Sequence, residues 1–162
     1  MTSSRRFVAF ALPLVLAGAC RERRELRTDL APLERRLALP AGVQGARWVA
    51  VPEHEEGCVP TIPEPDARTY LYAAIALDAS SWERLGPPKA ANAASIVFPR
   101  DVAHLILSSS LLARAQPVDG AQFGLSGQAV EGSALSKLAN VGVRAAVRVD
   151  DTLLVVLFVS KG

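Results

Sequence analysis

The sequence predicts an α+β domain: a small antiparallel sheet with a C-terminal β-hairpin, packed by two or three short helices. Three observations carry this. Residues 141–149 alternate as VGVRAAVRV, stop at Asp150-Asp151 and resume as the apolar run TLLVVLFVS. That is a hairpin with a two-residue turn. Arg68 to Leu77, RTYLYAAIAL, reads as a second strand and runs straight into DASSWERLG, a short helix. From Pro99 or Arg100, DVAHLILSSSLLARA has the apolar spacing of another helix.

In chain order, the first element is a leader. Arg5 and Arg6 form a positive n-region, Phe7 to Leu16 an apolar h-region, and Leu16-Ala17-Gly18-Ala19 a run of small residues ending at Cys20. Those parts in that order describe an export signal. Even extended to Ala19, the apolar run falls short of the roughly 20 residues a membrane-spanning helix needs. A cysteine directly after the small residues makes the segment resemble a bacterial lipoprotein signal. The resemblance covers residues 1–20 only. It implies cleavage before Cys20 and attachment of diacylglycerol to the Cys20 sulfur. The family pattern prefers Leu at the third residue before the cysteine; here Ala17 stands there and Leu16 lies one position early. The rival is an ordinary secretory signal cut near Ala19. In the lipoprotein sorting pattern, Asp after the cysteine retains a protein in the inner membrane. Arg21 stands there instead, which implies the periplasmic face of the outer membrane in a cell that has one. The expected organisation is a signal peptide over 1–19, a partly helical lipid-anchored segment over 20–40, and one α+β domain over 41–162.

Removing the leader changes the charge balance. The chain has 18 Lys+Arg and 16 Asp+Glu; Arg5 and Arg6 leave with the leader and no acid does, so the mature chain is neutral at 16 against 16. The electrostatic footprint of a nucleic-acid-binding protein is absent, and no nucleic-acid partner is expected. The 143 residues from Cys20 onward suffice for one hydrophobic core but not comfortably for two. Half the residues are hydrophobic but only 6% are aromatic, which means a globular domain with a light core. With Cys20 lipidated, Cys58 has no intramolecular partner and is expected to be buried as a small apolar group. Without lipid, a Cys20–Cys58 bridge becomes possible.

Residues 21–38, RERRELRTDLAPLERRLA, read as an amphipathic helix with Leu26, Leu30, Leu33 and Leu37 on one face. Pro32 is awkward at its centre, so a second helix capped by Thr28 or Asp29 can begin there. The stripe packs on the parent domain or forms a short contact with another copy. Arg21, Arg23, Arg24 and Arg27 lie beside the anchor, where anionic headgroups are within reach, though Glu22 and Glu25 weaken that attraction. Ala46 to Val51 looks like a strand, and the proline-bearing stretch through Asp66 like an extended surface loop. In the next strand Tyr70 and Tyr72 share one face, and Leu71, Ala73, Ile75 and Leu77 the other. Ser80 and Glu83 have capping-box spacing, and Gly86-Pro87-Pro88 stops the helix.

Lys89 to Ser95 reads as loop and Ile96 to Phe98 as a short strand. In the following helix the Ser108-Ser109-Ser110 stretch makes the second half weaker. Residues 117–132 read as loop, with a strand near Ala121 to Leu125, and Ser133 to Ala139 as one or two helical turns. In the final hairpin Val141, Val143, Ala145, Val147 and Val149 are expected on one face, with Arg144 and Arg148 on the other. The second strand is apolar on both faces and should lie centrally in the sheet.

Few constellations carry chemistry. His54-Glu55-Glu56-Gly57-Cys58 is one residue off the zincin pattern, whose two ligands must sit one helical turn apart. Pro52, Gly57 and Pro60 oppose a helix, so a solvated acidic loop with one thiol is the better reading. Gly124-Leu125-Ser126-Gly127-Gln128 is like a nucleophile elbow but lacks its final glycine, and both histidines precede it; a turn is expected. His104 lies in an apolar helical run and reads as a core or edge histidine. Trp48, Tyr70, Tyr72 and Trp82 either line a groove for an apolar ligand or fill the core. No cofactor motif is present.

The expected function is that of a membrane-anchored envelope lipoprotein with a non-catalytic interaction or accessory domain. Its partners are the membrane, through Cys20, and an envelope protein. The alternatives are a periplasmic hydrolase or metal-dependent enzyme using His54 and His104, and a module binding a small apolar ligand.

The loop reading is testable. Residues 21–162, purified under reducing conditions, should carry only trace transition metal by elemental analysis. Near-stoichiometric zinc, lost in His54→Ala, would overturn it.

Overall fold

A computed structural model of the chain describes residues 24–53, 69–85 and 93–160. Its elements in order are α1 (Ala31–Glu34), β1 (Val43–Pro52), β2 (Thr69–Leu77), α2 (Ala79–Arg84), β3 (Ala93–Pro99), α3 (Arg100–Ile106), α4 (Ser109–Arg114), β4 (Gln116–Asp119), β5 (Gln122–Ala129), α5 (Gly132–Leu135), β6 (Val141–Val149) and β7 (Thr152–Val159). All strand pairs are antiparallel. The sheet runs β1-β2-β7-β6-β5-β3, with β4 paired to β5, and does not close on itself. The fold is α+β and mainly β. It exceeds the sequence expectation, with seven strands rather than a small sheet and five short helices rather than two or three among the described residues.

The organising element is β7. Its residues Leu153 to Leu157 are all buried, and they divide between two cores. Leu153, Val155 and Leu157 meet Leu33, Leu37, Trp48, Ile75, Trp82 and Leu135 on what we term the first face of the sheet. Leu154 and Val156 meet Val49, Ile96, Phe98, Val102, Ile106 and Leu125 on the second face. Short helices α1, α2 and α5 cover the first face; α3, α4 and the curled edge of the sheet cover the second. The strand apolar on both sides is therefore central, flanked by β2 and β6.

The β6–β7 turn is Asp150-Asp151, and Asp150 adopts φ 55°. Asp tolerates this left-handed conformation better than most residues because its short polar side chain bonds locally. The single-face expectation for β6 fails at a bulge. Val143 pairs with Leu157 and Ala145 with Val156, so Arg144 is an extra residue in the ladder. Val141 and Val143 face the first core, whereas Ala145, Val147 and Val149 face the second. Period-two reading carries phase through every residue, and one unpaired residue inverts it.

The N-terminal segment is not the helix that its leucine spacing suggests. Arg27 and Trp48 exchange backbone hydrogen bonds of 2.9 Å each way, so the chain is extended along the β1 edge. Helix begins only at α1, with Pro32 in its first turn, where a missing N–H costs no hydrogen bond. Its N-cap is Leu30, not Thr28 or Asp29. The leucine stripe packs on the domain, as the first of the two readings has it. Leu30, Leu33 and Leu37 join the first core and Leu26 the second.

Two other expectations change. The run from Arg100 is two helices, because Leu107 turns extended (ψ 143°) and the Ser108 hydroxyl caps α4 by accepting from Leu111 N. In the glycine-rich stretch 117–132 the strand expected near Ala121 to Leu125 is present as β5, but the rest is not loop: β4 pairs with β5 as a hairpin and α5 follows. In β5 the glycines serve a close crossing. A Cβ on Gly127 would collide with the Arg148 carbonyl and lie 2.7 Å from Val147 Cγ1. Only glycine lets β5 pass over β6, with which it pairs just at Gln128 and Ala129. From that crossing β5 and β3 curl over the second face, bringing Phe98 to 6.0 Å from the Tyr72 ring.

Val155 is fully buried between Ala73 and Ala146 on neighbouring strands. Val155→Asp would place an unpaired charge there at a cost of several kcal/mol. Small domains have about 5–15 kcal/mol in total. The variant should lose the cooperative thermal transition seen by circular dichroism; a wild-type melting curve would show that β7 is not central.

Candidate functional site

A groove opens at one end of the second face, where the floor of the sheet is made of small residues. Gly45, Ala74 and Ala76 from β1 and β2 put at most a methyl group into the space beneath the α3–α4 corner; Ala46 lines it too, but its side chain belongs to the first core. The corner itself contributes Ile106, Ser108 and Leu111, and β7 contributes Thr152. The groove holds about 290 Å³ and is open to solvent. The helix break borders the groove: Ser108 caps α4 instead of continuing α3, and Leu107 and Leu111 on either side of it are buried in the second core.

The polar groups sit at the rim. Arg47 Nη2 donates to the Leu105 carbonyl at 2.6 Å, satisfying an acceptor near the end of α3 and holding the guanidinium beside the groove. The Ser108 hydroxyl contacts Ser110 Oγ at 3.0 Å, and Thr152 Oγ1 lies 3.3 Å from Asp151 Oδ1. An apolar floor with a few convergent polar groups is the usual character of a small-molecule site. This one is shallow and suits an apolar or amphiphilic group with an acceptor directed toward Arg47.

The residues singled out in the sequence scatter. Cys20, His54 and Cys58 lie outside the described residues. His104 is on α3, exposed, and meets the Phe123 ring edge-on at 5.7 Å. It is an edge histidine, not a core one. Among the described residues no group of three His, Cys, Asp or Glu side chains is placed to hold a metal ion. Ser126 lies within strand β5 opposite Ser95, in neither an elbow nor the expected turn. Of the serine triplet, Ser108 is a helix cap.

The four aromatics do not form one groove. Trp48 and Trp82 belong to the first core, whereas Tyr70 and Tyr72 lie on the second face. There Tyr70 packs on Phe158 at 5.5 Å, and the Arg144 guanidinium stands 5.1 Å over the same ring. The bulge at Arg144 puts that cation on the aromatic side, which alternation alone could not show.

Helix α2 is held by Asp78, not by the Ser80–Glu83 capping box. Asp78 Oδ1 accepts from Ser81 N at 2.7 Å and from the Ser81 and Ser80 hydroxyls at 2.6 and 2.9 Å. The Ser81 hydroxyl bond, then the Ser81 N–H, hold the Asp78 carboxyl below the usual carboxylate range. A depressed folded-state pKa contributes stability at neutral pH that fades as acid protonates the group. Gly42, at φ 101°, packs so closely on Asp78 and Ser81 that a Cβ would have no room.

With the geometry in place, comparison adds no relative. No family model, curated protein or solved structure matches the chain. The functional reading rests on the molecule itself.

The two buried indoles yield a prediction. Trp48 Nε1 donates to the Asp29 carbonyl at 2.9 Å, beneath the Arg27 guanidinium. Trp82 Nε1 is buried with no hydrogen-bond partner among the described residues. Trp48→Phe strands an acceptor, whereas Trp82→Phe removes an orphan donor whose burial costs about 1–3 kcal/mol. Trp48→Phe should lower the urea midpoint more than Trp82→Phe. The opposite order would contradict these hydrogen-bond assignments.

Proposed function

We propose that this chain is a lipoprotein of the bacterial cell envelope, held in the membrane through Cys20, whose domain acts by binding and not by catalysis. The observation that carries the reading is the leader: a basic n-region, an apolar run and small residues ending at Cys20. The position of the domain is compatible with it. Arg24, four residues after Cys20, is already pinned to Asp101 by a 2.6 Å ion pair. Four residues span about 14 Å at most. A lipid on Cys20 would keep the body of the protein against the bilayer, with an envelope protein as its expected partner.

A second reading is favoured by the groove. Its alanine floor and the Arg47, Ser108 and Thr152 rim suit a small apolar or amphiphilic ligand. The hydrolase or metal-enzyme alternative needs His54 and His104 together. Exposed His104, edge-on to Phe123, lends it no support.

Cells expressing the full chain and fed a clickable fatty acid should label the wild-type protein and not Cys20→Ser. Equal labelling of the two would remove the anchor from the proposal.

A further inference from the structure

We propose that the tip of the β4–β5 hairpin rests in the headgroup layer of the bilayer that holds Cys20, giving the domain one orientation on the membrane. This rests on the lipid-anchor reading above and names the surface that meets the membrane. The connection is short and continuous. Arg24, where the described chain begins, pairs with Asp101 in the first turn of α3. The preceding residue, Arg100, donates its N–H to the Ala121 carbonyl at 2.7 Å, and its guanidinium lies 5.2 Å from the Phe123 ring centre. The root of the tether and the hairpin tip are thus joined through two consecutive residues. With a reach of about 14 Å from Cys20 to Arg24, the bilayer surface lies beside the hairpin.

The chemistry of the tip fits that place. Val118 is 58% exposed, the most exposed of the large hydrophobic side chains among the described residues. It packs over Gly124, whose β3 neighbour is Val97, itself 38% exposed. Two valines and a glycine thus make an apolar patch on the outer face of β3, β5 and β4. Pro117, Gly120 and Ala121 beside it are exposed and uncharged. Asp119, the acid in the turn, accepts from Ala121 N at 2.7 Å, so its carboxylate is engaged in holding the loop. Arg100 adds a cation stacked on an aromatic ring. Small apolar groups at the surface, with an arginine and an aromatic ring behind them, are the components of interfacial membrane contact. A protein partner could use the same apolar patch, but the tether length argues specifically for the bilayer.

The test uses the full chain, expressed with its leader, in a Cys58→Ser background. A single NBD label is placed by Val118→Cys or, across the sheet on exposed α2, by Ala79→Cys. Both proteins are reconstituted in phosphatidylethanolamine–phosphatidylglycerol vesicles containing headgroup spin-labelled lipid. The expected result is a blue shift and loss of emission for the Val118 label, with neither for the Ala79 label. If the Val118 label is no more quenched than the Ala79 label on protein whose mass includes diacylglycerol, the orientation is wrong and the anchor stands. If no diacylglycerol mass is found, the anchor reading fails and this proposal with it.

Discussion

A strand that is apolar on both sides cannot sit at an edge or on a surface, and that constraint on β7 organises the molecule. Every residue from Leu153 to Leu157 is buried, so both faces of the sheet require cover. One side is served by elements that are individually marginal: the single turns α1 and α5 and the six-residue α2. None would be stable alone, since isolated helices of this length do not form in water. They persist because each lays a large side chain, Leu33, Trp82 or Leu135, on the same apolar surface, where Leu37 just beyond α1 joins them. On the other side α3 and the curled β3–β5 edge do the equivalent work. Two thin cores on the two sides of the same central strands explain how a chain with few aromatics builds a fold.

The parts of the fold legible in the sequence are those where local pattern and tertiary environment agree. The β6–β7 hairpin was readable because its turn and its doubly apolar strand point one way, although the bulge at Arg144 divides the β6 alternation between the two faces. β2 was readable for the same reason, with Leu71, Ala73, Ile75 and Leu77 in the first core and the tyrosines opposite. The failures came where a long-range contact decided the outcome. Residues 24–30 have helical leucine spacing, but the open edge of β1 offers Arg27 two backbone hydrogen bonds at Trp48. That is a tertiary demand no local window contains. Of the β4–β5 hairpin only the strand near Ala121 to Leu125 is legible, because its glycines in isolation mark a loop. Their reason becomes visible only when β5 is seen crossing Arg148 and Val147.

The candidate site was less legible still, because its groove is defined by what is missing. Gly45, Ala74 and Ala76 carry no chemical signal, and small residues in a strand read as weak packing, not as a floor. The helix break between α3 and α4 is hinted at by three consecutive serines, though the identity of Ser108 as a cap is not. The aromatics attracted attention because they are rare here, yet alternation already separates Trp48 from the tyrosines once β1 and β2 pair in register. A reading that joined Val49 to Tyr72 and Trp48 to Ala73 would have split them. Register, not composition, was the missing information.

The same logic bears on where function resides. The elements that carry the core leave little freedom: β7 is enclosed, β2 and β6 flank it, and Gly127 permits only one crossing. Two margins of the sheet carry the features singled out above, the α3–α4 corner above the groove floor and the β4–β5 hairpin. Both belong to the second-face layer, and both are tied to α3, one through Arg47 on the Leu105 carbonyl and the other through Arg100 on the Ala121 carbonyl. Helix α3 is seven residues long, about 10 Å at 1.5 Å per residue. The two margins are therefore opposite ends of one rigid strut buried through Val102, Ala103 and Ile106. A contact that held the hairpin end would set the position of the groove at the other, with no conformational change needed to relate them.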